Sequence, residues 1–162
     1  MLLRLALCRV LAFSAAALPA GAFCAAPAGD LPDPETAIWG KVKRSLFEGR
    51  PVSSGGGIVE LVAPVRADDG AVVPIAIRAK LAQRPERYIR RIYLVVDNNP
   101  SPLAAKIELS AETGRADLET RIRIEQYSYV RAVAELSDGT LAADARFVKA
   151  SGGCSAAAPK DP

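Results

Sequence analysis

The stretch Asp117-Leu118-Glu119-Thr120-Arg121-Ile122-Arg123-Ile124-Glu125 alternates strictly between charged residues and residues that a protein interior accepts. A pattern that repeats every two residues puts alternate side chains on opposite faces of an extended chain, so one face is buried and the other is solvated. No helical spacing fits this pattern. The segment therefore predicts a β-strand with one wet face, and it decides the fold class.

Alternation of the same kind continues on both sides of this segment. Pro74 lies inside one such run, and because proline cannot donate to a sheet ladder we expect an edge strand or a bulge there. The cluster Ser137-Asp138-Gly139-Thr140 separates the last two runs and is typical of a hairpin turn. About seven short strands with turns at this spacing predict an all-β, immunoglobulin-like β-sandwich. The other six predicted strands cover residues 58–63, 72–79, 91–96, 105–110, 130–136 and 141–149.

One helix is predicted before the strands, over residues 33–47. Asp33 is a suitable N-cap, and Pro34 is favoured at the first helical position. Ile38, Val42 and Leu46 recur every four residues, with Trp39 beside them, so we expect this face to dock on the sheet. The predicted domain spans residues 33–149.

The first 22 residues have the layout of a secretory signal peptide. Arg4 and Arg9 precede a short apolar run, which is followed by small residues that allow cleavage after residue 22 or 26. The apolar run is shorter than the roughly 20 residues that a spanning helix needs, so no membrane anchor is predicted. The expected destination is the periplasm.

Composition excludes several kinds of function. The formal net charge of +3 falls to +1 once Arg4 and Arg9 are removed, which argues against a nucleic-acid partner. The chain contains no histidine, and this excludes His-ligated metal sites and Ser-His-Asp triads within it. The basic residues at Arg84, Arg87, Arg90 and Arg91 and on the first helix are interpreted as solvated faces or a partner contact.

Of three cysteines, Cys8 lies in the signal peptide and Cys24 at its border, so Cys154 alone is certain to remain after export. It follows Gly152 and Gly153 in a segment of small residues, 150–162, that cannot bury enough surface to hold itself in place. We expect a flexible C-terminal arm. A functional thiol, a disulfide to Cys24, an intermolecular disulfide and an incidental cysteine are all compatible with the residues.

A set of short motifs, in order, resembles the SoxY family of sulfur carriers. The set covers most of the chain from Trp39 to Cys154. It comprises Ala63-Pro64, Asp69-Gly70-Ala71-Val72-Val73-Pro74, Asp97-Asn98-Asn99-Pro100-Ser101-Pro102, Thr120-Arg121-Ile122-Arg123, Val130-Arg131-Ala132-Val133, Ser137-Asp138-Gly139 and Val148-Lys149 leading into Gly152-Gly153-Cys154.

The resemblance implies a covalent carrier and not an enzyme. In that family the arm cysteine holds sulfur intermediates during periplasmic thiosulfate oxidation, so Cys154 is the implied attachment point and Gly152 and Gly153 the hinge. It further implies a heterodimer with a SoxZ-like protein, and presentation of the loaded arm to oxidising enzymes or c-type cytochromes. No cofactor or metal is implied.

The chain departs from the family pattern at the end of the arm. Ser155 stands where glycine is usual, and residues 156–162 continue beyond it. This is similar to SoxYZ-like carriers associated with quinoprotein dehydrogenases, in which a SoxZ-like part often follows in the same chain. An alternative function is a noncatalytic binding or assembly module for such a dehydrogenase or for a c-type cytochrome. A thiol redox enzyme is disfavoured because Cys154 has neither a resolving cysteine at short spacing nor a base.

Overall fold

The computed structural model describes residues 36–150, which fold into one helix and nine strands. The elements are α1 (Ala37–Phe47), β1 (Val52–Ser54), β2 (Val59–Val62), β3 (Arg66–Ala67), β4 (Val73–Ala79), β5 (Ile89–Val96), β6 (Leu103–Glu108), β7 (Leu118–Ile122), β8 (Ser128–Leu136) and β9 (Leu141–Ala150), with a 3-10 turn at Ala111–Thr113. All seven predicted strands are present. The two additional strands, β1 and β3, are too short to carry a periodic pattern.

The strands form two sheets. The large sheet has the order β1-β9-β8-β5-β6, and β3 also pairs with β9. The small sheet has the order β2-β4-β7. Strands β5, β8 and β9 are the centre of the large sheet and pair antiparallel, whereas β1 and β3 pair parallel to β9. The predicted all-β sandwich is thus confirmed.

The main core lies between the two sheets and follows the period of two. In β4, Val73, Ile75 and Ile77 are buried, while Pro74 and Ala76 point outward. The large sheet contributes the other half of this core, including Ile92, Leu94, Val96, Val130, Ala132, Ala134, Leu136 and Val148, each at most 1% exposed. Burial of this apolar surface is the main stabilising contribution to the sandwich.

Helix α1 covers the outer face of the large sheet and begins later than predicted. Its N-cap is Thr36 and not Asp33: the Thr36 backbone is extended, and its hydroxyl accepts the Trp39 N–H at 2.9 Å. The docked face is also shifted. Trp39 and Val42 are buried, whereas Ile38 is 36% exposed.

At Pro74, too, the structure differs from the expectation. Strand β4 is the central strand of the small sheet and not an edge. The proline is tolerated because β2 ends at Val62, opposite Ala76. Pro74 therefore has a strand neighbour on one side only, Arg121 of β7, and no ladder bond to β2 is lost.

Candidate functional site

The residues predicted to work, Gly152, Gly153 and Cys154, lie outside the described residues, and so do Cys8 and Cys24. The structure places the point from which they extend. This point is the end of β9 at Ala150, four residues before Cys154. The geometry at that end of the sandwich determines what surrounds the base of the predicted arm.

The base of the arm is fixed on the domain. Ala150 is 4% exposed and pairs with Ala67 of β3, and Lys149 pairs with Arg66. The Lys149 N–H also donates to the carbonyl of Val65 at 2.9 Å. Backbone bonds on this edge therefore hold β9 in place up to its last residue.

Covalent geometry limits how far Cys154 extends from this base. Four residues span at most about 14 Å when fully extended. The base of the arm lies at the end of the sandwich where β9 finishes and β8 begins, since Val148 pairs with Ser128. Helix α1 begins at the same end, because the Thr36 hydroxyl donates to Asp97 at 2.9 Å.

Loops at this end are joined by side-chain amides. Asn98 donates through its side chain to the carbonyl of Tyr127 at 2.6 Å. Asn99 donates to the carbonyl of Arg123 at 2.8 Å and accepts the Glu125 N–H at 3.1 Å. The turn 97–102 and the loop 123–127 thus form one hydrogen-bonded unit beside the base of the arm. Asn98 and Asn99 thus join the two loops in addition to lying in the turn that follows β5.

Asp97 has a second role that the sequence did not reveal. It is 3% exposed and accepts two bonds of 2.8 Å from Arg131, whose side chain is fully buried. The Arg131 guanidinium lies 4.5 Å from the centre of the Trp39 ring and 5.4 Å from that of Tyr129. A single arginine within the apolar run of β8 was the available signal, because a charge at such a position needs a buried partner.

Glu135 is the other buried charge of β8, and it lies toward the opposite end of the sheet, by the β8–β9 turn. Its carboxylate accepts from Arg50 at 3.0 Å, Arg90 at 2.7 Å, Arg91 at 3.4 Å and the Tyr93 hydroxyl at 3.0 Å. Burial alone would raise the pKa of Glu135, but the bonds from Arg90, Tyr93 and Arg50 outweigh it and lower the pKa to about 2.

These contacts revise the interpretation of Arg90 and Arg91 as part of a solvated face. Arg90 and Arg91 are not simply solvated, because both bond to Glu135. Tyr93 is 7% exposed and packs edge-on against Phe47 of α1 with ring centres 5.0 Å apart. Burial and the bond to Glu135 raise the pKa of Tyr93. By contrast, Arg121 is exposed, as predicted.

Residues 36–150 offer neither a cluster of metal ligands nor a membrane-spanning helix. Within that range, no group of three or more Cys, Asp or Glu side chains is arranged to hold a metal ion. None of the helices described there is long and apolar enough to cross a membrane.

Comparison with protein families identifies the sequence pattern. The family model "Sulfur oxidation protein SoxY" matches residues 43–154, which is more than half of the chain. The matched region includes the whole sandwich and ends on Cys154. None of the curated proteins matches the sequence.

The solved structures with a similar fold include a sulfur carrier protein and a superoxide reductase. The sulfur carrier protein SoxY from Chlorobium limicola f thiosulfatophilum is 20% identical, with a TM-score of 0.57 over 69% of this chain and 90% of that one. A superoxide reductase (neelaredoxin) variant from Ignicoccus hospitalis is 11% identical, with a TM-score of 0.52 over 58% of this chain and 80% of that one. At these identities both structures show the fold alone.

Proposed function

This chain belongs to the SoxY family, and on that premise we propose that it is an exported sulfur carrier whose attachment point is Cys154. The observation that carries the proposal is the position of the family match, which continues past the last strand and ends on this cysteine. The anchored end of β9 supports it, because a carrier arm needs a fixed base.

The chemistry assigned to Cys154 is formation of a disulfide-type bond with a sulfur compound. If the cargo is thiosulfate, the Cys154 thiolate joins its terminal sulfur and two electrons are released. A separate partner, a c-type cytochrome or an oxidising enzyme, accepts those electrons. The thiolate is the nucleophilic form of cysteine. The carrier itself holds the product and presents it to the next enzyme.

Intact-mass measurement of the exported protein tests this assignment. Protein isolated from cells supplied with a reduced sulfur compound should carry a sulfur-containing adduct that a thiol reductant removes. The adduct should be absent from Cys154→Ser and retained in Ser151→Ala, a matched change on the same arm. An unmodified thiol in the wild-type protein under these conditions, or a stable Cys24–Cys154 disulfide in peptide maps, would contradict the proposal.

The partner assignment follows from the family and is tested separately. We expect a SoxZ-like protein to form a heterodimer with the folded domain, in the periplasm. The Cys154→Ser variant should therefore co-purify with it as well as the wild type does. Loss of the partner on this change would show that the arm, and not the domain, forms the contact. Cell fractionation tests the compartment.

The finer assignment, to carriers associated with quinoprotein dehydrogenases, rests on Ser155 and on residues 156–162. It predicts that a periplasmic quinoprotein dehydrogenase, and not only thiosulfate-oxidising enzymes, binds the loaded carrier. Identification of the proteins cross-linked to loaded and unloaded carrier distinguishes the two sets. Recovery of thiosulfate-oxidising enzymes alone would overturn the finer assignment and leave the carrier function intact.

A further inference from the structure

Three arginines converge on one carboxylate at the end of the large sheet opposite Ala150. We call Arg50, Arg90 and Arg91 the arginine cluster, with Glu135 at its centre. Arg50 comes from the segment after α1, Arg90 and Arg91 come from β5, and Glu135 comes from β8. The cluster is therefore assembled from three parts of the fold.

The central carboxylate has no accepting capacity left. Glu135 Oε1 accepts from Arg50 and Arg90, and Oε2 accepts from Arg91 and the Tyr93 hydroxyl. Two bonds to each oxygen use all the lone-pair directions of a carboxylate. Glu135 is also 1% exposed, so it does not reorient toward solvent. Of the remaining N–H groups, those of Arg50 donate to the carbonyls of Phe47 and Gly139, and the Arg91 Nε–H donates to Glu108.

Positive charge at the cluster exceeds negative charge by two. Glu135 neutralises one of its three arginines. Glu108 bonds to both Arg91 and Lys106. The negative charge of Glu108 and the positive charge of Lys106 cancel, so the excess of two is unchanged. On the neighbouring turn, Arg87 and Asp138 form their own ion pair. The excess is therefore held in place by a buried anchor and is not spread over mobile side chains.

One buried donor accompanies this charge. Arg90 bonds to Glu135 through Nη2, and its Nε–H is buried without an acceptor. The side chains of Arg50, Arg90 and Arg91 are 39%, 37% and 33% exposed, so parts of these side chains other than the Arg90 Nε are open to a small solute. Charged hydrogen bonds of guanidinium to oxyanions are strong and geometrically selective.

We propose that the arginine cluster binds a doubly charged tetrahedral oxyanion of the sulfate and thiosulfate type. Two negative charges match the excess, and several oxygens at tetrahedral angles suit guanidinium groups that approach from different strands. The site does not depend on Cys154. Strand β9 separates the arginine cluster from the base of the arm. The strand begins at Leu141, which pairs with Glu135, and ends at Ala150.

Titration by NMR tests the site on the mature Cys154→Ser protein, which keeps thiol chemistry out of the measurement. Sodium sulfate or thiosulfate replaces sodium chloride at constant ionic strength, while the arginine Nε–H resonances are followed. The Arg90 resonance should move along a saturating curve. Binding should be about tenfold weaker in Arg90→Gln, since a charged hydrogen bond is lost, and unchanged in the exposed control Arg121→Gln.

Other outcomes overturn the proposal. A linear drift without saturation, or an equal response in Arg90→Gln, would mean general salt effects. A saturating response to succinate with none to sulfate would assign the cluster to carboxylates instead. Because the native arginine resonances are read directly on the Cys154→Ser protein, the result stands even if Arg90→Gln fails to fold.

Discussion

Arg131 and Asp97 form a buried ion pair in which two guanidinium nitrogens each meet a different carboxylate oxygen at 2.8 Å. The same carboxylate accepts from the Thr36 hydroxyl at the start of α1. Asp97 also begins the turn beside the base of the arm. One ion pair thus joins the helix, strand β8 and that turn, so it determines the shape of the end of the domain from which the arm extends.

Replacing Arg131 by Met should cost about 3–5 kcal/mol in the free energy of unfolding. The change leaves the Asp97 carboxylate buried without its counter-charge. Chemical denaturation measures the loss. The control is Arg115→Gln, which removes an ion pair to Asp117 from a side chain that is 80% exposed, and it should cost no more than about 0.5 kcal/mol.

A second variant distinguishes charge imbalance from lost packing. Arg131→Met combined with Asp97→Leu removes both charges, and it should recover part of the lost stability. A cost below about 1 kcal/mol for Arg131→Met alone would mean that the Asp97 carboxylate is not left buried without a counter-charge. The ion pair would then not be what holds this end of the domain together.

Thr36 is expected to contribute more than an ordinary helix cap. Its hydroxyl accepts the Trp39 N–H and donates to Asp97, so Thr36→Ala removes a cap and one bond to a buried carboxylate. We expect a loss near 2 kcal/mol, at the upper end for caps. Thr36→Ser keeps the hydroxyl and should lose less than about 0.5 kcal/mol. Equal losses for the two variants would refute the hydrogen-bond explanation.

Glu135 should make the domain sensitive to acid. Its pKa is lowered from 4.5 to about 2 in the folded protein, so folding favours the ionised form. The stabilisation is complete above the unfolded pKa, near 4.5, and is lost as the pH falls toward 2. The shift corresponds to roughly 3 kcal/mol. Unfolding free energies measured between pH 6 and pH 2 should show this decline.

Glu135→Gln tests the source of the decline. The variant cannot ionise at this position, so its stability should be lower at pH 6 and should change less between pH 6 and pH 2. The exposed Glu86→Gln should keep the wild-type profile. An unchanged slope in Glu135→Gln would assign the acid sensitivity to other carboxyl groups.

The sequence was sufficient where a single local pattern determines the structure. Alternation placed the long strands, and the cluster around Gly139 placed the β8–β9 hairpin, where Gly139 has a φ of +85°. It was insufficient where distant residues decide. The cap of α1 is Thr36, whose hydroxyl also bonds to the distant Asp97, and the burial of Glu135 depends on arginines from two other segments.

The candidate site was predicted from the sequence only in part. Cys154 lies outside the described residues, and its place four residues after β9 is a matter of chain order alone. The pairing that fixes this end, Ala150 with Ala67, involves the two-residue strand β3, which carries no periodic signal. The buried charges Asp97 and Arg131 are 34 residues apart and are brought together only by the pairing of β5 with β8.

Gly55 should tolerate no side chain, because it follows β1 at a close approach to β9. A Cβ there would lie 2.7 Å from the Ala143 carbonyl carbon and 2.9 Å from the Asp144 nitrogen, both rigid backbone atoms. The Gly55 N–H donates to the Ala143 carbonyl at 2.7 Å, so the two strands cannot separate without losing that bond. Gly55→Ala should therefore cost about 1–3 kcal/mol, as overpacked sites do.

Gly57 is the matched control for this change. It lies two residues further along the same loop, and a Cβ there meets nothing within 4 Å. Gly57→Ala should be neutral or slightly stabilising, because alanine reduces the freedom of the unfolded chain. Thermal unfolding of the two variants measures the difference. Equal melting temperatures would show that the β1–β9 edge yields to the added methyl group, and β1 would then contribute little to holding the β9 edge in place.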